Sequence, residues 1–189
     1  MNTPKIFVAT LVAVSIITAI TPKNIALAQP KPPTTTQQTF TAADRQFVTK
    51  AAQDNLAEIE LGQLAVKQAK NDEIKKFAQR LVQDHSQIND ELKQLVANRG
   101  ITLPQNSGKE NAKIKARLAK LSGDAFDKAY INHIVEDHKR AISLYERQAK
   151  QGNDPDLKNW AARILPTLQE HLQLANSIAE RVRGGGGNR

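Results

Sequence analysis

Four histidines carry most of the chemistry that this sequence can offer: His85, His133, His138 and His171. Their places on helical wheels matter more than their number. His85 falls in the stripe Ile74, Ala78, Leu81, His85, Ile88, Leu92, Leu95, whose steps of three and four put it mid-face on a buried helix side. His171 is mid-face in Leu157, Ala161, Ile164, Leu168, His171, Ala175, Ile178, Val182. His138 shares the inward side of its helix with Ile131, Ile134, Ala141 and Tyr145, whereas His133 lies nearer the edge and is the weakest candidate. A further helix supplies no histidine but carries Glu58 in a lane of small residues: Phe47, Ala51, Asn55, Glu58, Gly62, Ala65, Ala69. Each long helix thus offers one polar candidate: Glu58, His85, His138 and His171. Three imidazoles and a carboxylate suit one zinc, copper or iron ion, and none of these ligands is oxidised as a free thiol would be.

Neighbouring side chains fit a supporting role. Asp84, Asp137 and Glu170 each precede a histidine and point about 100° away from it. They are therefore expected to accept hydrogen bonds from rings on adjacent helices, with Asp84, Asp137 and Tyr130 as the partners that orient the ligands. Glu60, about 200° around its helix from Glu58, is expected in solvent. Gly62 weakens a helix by about 1 kcal/mol, so space is needed there, either for a bulky ring or for close helix packing. The competing reading is that the histidines are structural, bonded to acids or tyrosines, in a polar network that selects one packing arrangement.

The elements that position these residues follow from caps and breakers. A first helix is expected from about Thr41 to Lys70, opened by a loose capping box at Thr41 and Asp44. A second runs from about Asp72 to Asn98 and stops at Gly100. Lys109 to Leu121 forms a short basic helix with Ile114, Leu118 and Leu121 inward, broken at Gly123. A third long helix covers about Asp124 to Gln151. The fourth starts with Asp154 as cap and Pro155 in the first turn, and reaches about Val182. Pro166 should kink it, chiefly as a matter of packing, and Trp160 is expected as a core anchor at the bundle end. The pattern Val-x-Asp-His occurs on both the second and the third long helix, at Val82–His85 and Val135–His138. No segment alternates with the period of a strand. The fold class is all-α: an antiparallel four-helix bundle over residues 41–183, with a short extra helix in the second connection.

Outside that domain, residues 1–28 read as a secretory signal: Lys5, an apolar run from Ile6 to Ile20, and Ala26-Leu27-Ala28 before the cleavage point. Residues 29–40 are rich in proline and threonine and read as a flexible tether, and 184–189 as a disordered tail. The expected location is the periplasm or the medium. The absence of cysteine removes disulfides and a lipoprotein anchor alike. The formal charge of the 189-residue chain is +8. Aromatics are too few, and export too strongly indicated, for a nucleic-acid partner. An anionic envelope surface or a protein partner fits the basic segment around Lys113, Lys115 and Arg117 better. No Ser-His-Asp set or glycine-rich phosphate loop is present, so the balance is against an enzyme.

Four runs in order, NLAEIELGQLA, FAQRLVQDH, FDKAYINHIVEDHKRAISLYE and ILPTLQEHLQLA, resemble the bacterial domain-of-unknown-function 4142 family. Its members are often labelled predicted outer membrane proteins and are placed in the ferritin-like superfamily. The resemblance spans about Thr41 to Glu180 and implies a ferritin-like four-helix bundle. It does not carry a membrane span, since neither barrel strands nor a second apolar run is present. Di-iron sites of that superfamily use a Glu from each of two helices and Glu-x-x-His from each of the other two. Here Val82, Val135 and Leu168 stand three residues before the histidines. The bridging carboxylates are missing, which leaves a mononuclear site or none.

Overall fold

A computed structural model describes residues 40–184. The expected signal, nearly all of the tether and the tail beyond Gly184 lie outside the described residues. Within them the protein is a helical bundle of five helices: α1 (Ala42–Gln68), α2 (Asp72–Val96), α3 (Gly108–Leu118), α4 (Gly123–Gln151) and α5 (Pro155–Gly184). None of them is long and apolar enough to cross a membrane.

The ends of the helices have local causes. The Thr41 hydroxyl accepts from Asp44 N at 3.2 Å while Asp44 Oδ2 accepts from Thr41 N at 3.1 Å, closing the expected capping box. α1 stops at Gln68, two residues short of Lys70, because Asp127 of α4 takes the amides of Lys70 and Asn71 at 3.0 and 2.8 Å. Asn71 then caps α2 through Glu73 N and Ile74 N. Asp154 Oδ1 accepts from Leu157 N at 2.9 Å and Pro155 opens α5, as the sequence suggests. α5 runs through Pro166 without a break in its helical assignment.

The helices pair closely as α1 with α2 and as α4 with α5. Thinner seams join α1 to α4 and α2 to α5. Gly62 explains the first pairing. A β-carbon there would lie 2.6 Å from Val82 Cγ2 and 3.1 Å from the Ala78 carbonyl, so the space serves close helix packing and not a ring.

The core has two apolar clusters. One contains Leu61, Phe77, Leu81, Phe126, Tyr130 and Ile134, and the other Phe47, Leu92, Tyr145, Trp160, Ile164 and Leu168. The polar candidates fall where each long helix passes from one cluster to the other: Asn55 and Glu58 between Ala52 and Leu61, His85 between Leu81 and Ile88, His138 between Val135 and Tyr145, His171 between Leu168 and Ala175.

Several surface expectations change. Phe40, assigned above to the tether, is 5% exposed and lies under the Arg99 guanidinium at 5.0 Å. Gly184, assigned to the tail, is the last residue of α5. Glu60, expected in solvent, is half-buried and holds Lys115 of α3 at 3.0 Å. Lys113 pairs with Glu110 at 2.7 Å. Two of the three basic side chains singled out on α3 thus already have acidic partners. Trp160 is buried at the edge of Phe47 and beside Tyr145, the anchor position expected of it.

Candidate metal centre

The three mid-face histidines meet. Their ring centroids are 5.6 Å apart for His85 and His138, 5.5 Å for His85 and His171, and 5.4 Å for His138 and His171. One nitrogen from each ring falls within 4.8 Å of the others, and all three residues are buried. His85 comes from the α1–α2 pair, and His138 and His171 from the α4–α5 pair. The centre therefore forms only when the two helix pairs pack against each other.

The partners of the outer nitrogens define which nitrogens face inward with a lone pair. His138 Nδ1 lies 3.1 Å from the Ile134 carbonyl, which can only accept, so Nδ1 carries the proton. His171 Nε2 lies 2.8 Å from Asp84 Oδ2 and donates to that carboxylate. His85 Nδ1 donates to Asn55 Oδ1 at 3.0 Å. In the neutral rings this leaves lone pairs on His138 Nε2, His171 Nδ1 and His85 Nε2. The first two face each other at 3.3 Å, and His85 Nε2 has no hydrogen-bond partner.

Burial keeps these rings neutral. It pushes His85 well below the usual imidazole range, helped by the other two rings. It brings His138 down to about 4, with His171 adding to the effect. It lowers His171 as well, although Asp84 pulls the other way. Neutral imidazoles with outer N–H groups held by a carboxylate, an amide oxygen and a backbone carbonyl are the form in which histidine binds a metal. A tetrahedral ion with Zn–N bonds of about 2.05 Å separates two ligand nitrogens by about 3.3 Å. That is the His138–His171 spacing, and the three rings together bring one nitrogen each to within 4.8 Å of one another.

Glu58 is buried beside this group but not in it. Its Oε1 lies 3.8 Å from His138 Nδ1, on the protonated edge of that ring, and its carboxyl faces that of Asp137. Burial pushes its carboxyl well above the usual range, and the Asp137 carboxylate adds to this. Asp137 itself is bound by Arg140 at 2.7 Å and touches no ring of the trio. Burial raises its carboxyl, but Arg140 and His133 bring it below the usual range. Tyr130 stacks on Phe126 at 5.7 Å, and its buried hydroxyl is without a partner. Glu170 binds Arg80 at 2.8 Å, and His133 sits half-buried, apart from the cluster. Of the expected supporting acids, Asp84 is the one bonded to a ring of the trio.

Sequence reasoning missed Asn55 as a partner of the cluster. A signal for it exists. An acid precedes the inward polar residue on each long helix: Asp54-Asn55, Asp84-His85, Asp137-His138 and Glu170-His171. Asn55, not Glu58, is the first helix's counterpart of the three histidines.

A family model of a domain of unknown function (DUF4142) matches residues 29–178. The chain belongs to the DUF4142 family. Among curated proteins none matches it significantly. A crystal structure of a DUF305 fragment from Deinococcus radiodurans is similar in fold, with a TM-score of 0.67 at 13% identity, over 76% of this chain and 99% of that one. In this DUF4142 chain the di-iron pattern of ferritin-like proteins does not fit, since Val82, Val135 and Leu168 occupy the positions of its carboxylates.

Proposed function

We propose that this DUF4142 protein binds one transition-metal ion, zinc, copper or ferrous iron, through His85 Nε2, His138 Nε2 and His171 Nδ1. The observation that carries the reading is the 3.3 Å approach of two ring nitrogens whose protons are both committed to acceptors on the far side. Two facing lone pairs repel each other unless a cation lies between them. Metal holding fits the donor set better than di-iron oxygen activation, which uses bridging carboxylates. Asn55 and Asp84 orient two of the ligands, and Glu58 supplies an acidic group beside the third.

We also read the four long helices as an antiparallel ferritin-like bundle. The order of the two apolar clusters along each helix supports this. It runs one way in α1 and α5 and the other way in α2 and α4, so every adjacent pair is antiparallel. Export to the periplasm or the medium is part of the proposal and rests on the leader sequence. N-terminal sequencing of the mature chain tests it, with Gln29 as the expected first residue.

The metal test is direct. Purified protein is incubated with zinc, dialysed and assayed for metal by mass spectrometry. About one ion per chain is expected, and a value below about 0.1 per chain for zinc, copper and iron alike refutes the reading. His85→Ala and His171→Ala should each remove most of the bound ion while circular dichroism still reports a helical fold. Cobalt(II) offers a second readout, because a tetrahedral nitrogen site gives it intense visible absorption.

A further inference from the structure

The three ligand rings are buried, so an ion has to reach them through one of the helix seams. We propose that it passes through the α2–α5 seam at Asp84, and that Arg80 is a removable strap across that opening. This rests on the metal reading above and deepens it.

The outer partners of the three rings differ in where they lead. His138 Nδ1 ends on a backbone carbonyl inside the bundle, and His85 Nδ1 ends on Asn55, itself 3% exposed. His171 Nε2 alone ends on a side chain that reaches the surface: the Asp84 side chain is 26% exposed. Above Asp84 lies a cleft of about 230 Å³ between α2 and α5, walled by Ile88, Ile164 and Thr167. Its acids, Asp84, Glu91 and Glu170, outnumber Arg80 and Arg163, so the local field favours a cation.

Both arginines are tied across the seam. Arg80 donates to Asp84 at 3.3 Å and to Glu170 at 2.8 Å, and Arg163 donates to Glu91 at 2.9 Å. The Arg80 side chain is 40% exposed, and exposed pairs of this kind are exchanged readily. The helix behind the cleft is weakened as well. Pro166 has no N–H, which leaves the Ala162 carbonyl without its usual donor, and Pro166 lies five residues before His171. A cation arriving at Asp84 takes the oxygen that holds His171. The released ring is then free to rotate and carry its ligand nitrogen to the ion.

The opposite seam is built differently. The cleft of about 490 Å³ between α1 and α4 sets Lys50, Lys139, Arg140 and Arg147 against Asp54, Glu136 and Asp137, so its bases outnumber its acids by one. Asp137 at that mouth touches no ligand ring. Arg140 pairs with Asp137 within α4 as Arg80 pairs with Asp84 within α2, and so serves as the control for loss of an arginine at a seam mouth.

Stopped-flow absorbance with cobalt(II) and the full chain measures association, and release is measured by chasing with a chelator. Arg80→Ala and Glu170→Gln, which removes the far anchor of the strap, should each speed both association and release by about threefold or more, leaving Kd within about twofold. Arg140→Ala should change neither rate. The paired change is diagnostic, because simple loss of a positive charge near the ion speeds association but slows release. The proposal is overturned if Arg80→Ala leaves both rates unchanged, if it moves them in opposite directions, or if Arg140→Ala is the variant that accelerates. Failure of the wild-type chain to bind cobalt, zinc or copper overturns the metal reading itself and this route with it. That outcome is distinct from binding with unaltered kinetics.

Discussion

In the apolar cluster around Phe126, Leu81 and Ile134, buried side chains pack on one another along the bundle axis. One or two turns along the same helices, Asn55, Glu58, His85, His138 and His171 are just as buried, yet His85 Nε2 is left without a hydrogen-bond partner and Glu58 faces a second carboxylate, Asp137. The contrast is energetic. The clusters on either side gain about 25 cal/mol for each Å² of apolar surface removed from water. Each unsatisfied polar group in the layer between costs about 1–3 kcal/mol. Packing alone does not call for a layer of this kind at the centre of the bundle. A cation held by the three inward nitrogens would offset part of its cost.

The largest effect that can sharpen this contrast is a truncation away from the layer. Phe126→Ala should cost about 3–5 kcal/mol in urea denaturation, by the same amount with or without zinc. A zinc-dependent cost would show that the cluster and the layer are not independent. Next, zinc at a hundred times its Kd should raise stability by about 2.7 kcal/mol, and His171→Ala should abolish the gain. Replacing both members of a buried polar pair can be neutral or stabilising. The double variant His85→Leu/Asn55→Leu should therefore equal or exceed the metal-free parent in stability while losing the response to zinc. A large loss instead would mean that the polar layer contributes stability of its own.

Acidification should expose the layer next. A histidine held below its unfolded value of about 6.5 stays neutral in the fold while the unfolded chain takes up a proton. Each such group gives stability that is complete above about pH 6.5 and falls at about 1.4 kcal/mol per pH unit below it, for His138 down to about 4. Glu58, raised by burial and by Asp137, acts in the opposite sense, since its unfolded form ionises as pH rises. All four histidines are depressed, against two raised carboxyls, Asp54 and Glu58, so the net change from pH 6.5 to 5 is a loss. Midpoints of urea denaturation at pH 7.5, 6 and 5 measure it, and a His138→Leu variant should show a shallower decline. The smallest effect belongs to the surface: Lys113→Ala, which breaks an exposed pair with Glu110, should change stability by less than about 0.5 kcal/mol.

Much of the fold was readable from local rules. The stripes on α2 and α5, the capping box at Thr41 and the Asp154-Pro155 start each depend on residues within one or two turns of each other. The expectations that missed did so where a distant partner intervened. α1 ends early because Asp127, from α4, takes its next two amides. Glu60 leaves solvent because α3 folds over it with Lys115. Phe40 joins the core because Arg99 covers it.

The candidate site divides along the same line. Helical periodicity places His85, His138 and His171 on inward faces, since 3.6 residues per turn is a property of the chain and not of its neighbours. The height of each ring along the bundle, and so whether the rings meet, depends on how the two helix pairs dock. Docking put Asn55 rather than Glu58 opposite His85, and set Glu58 against the protonated edge of His138. It also brought Asp84 to His171 from 87 residues away. Periodicity was enough to bury three imidazoles and a carboxylate. Which nitrogens keep their protons was left to the docked bundle, because that depends on acceptors contributed by other turns and other helices.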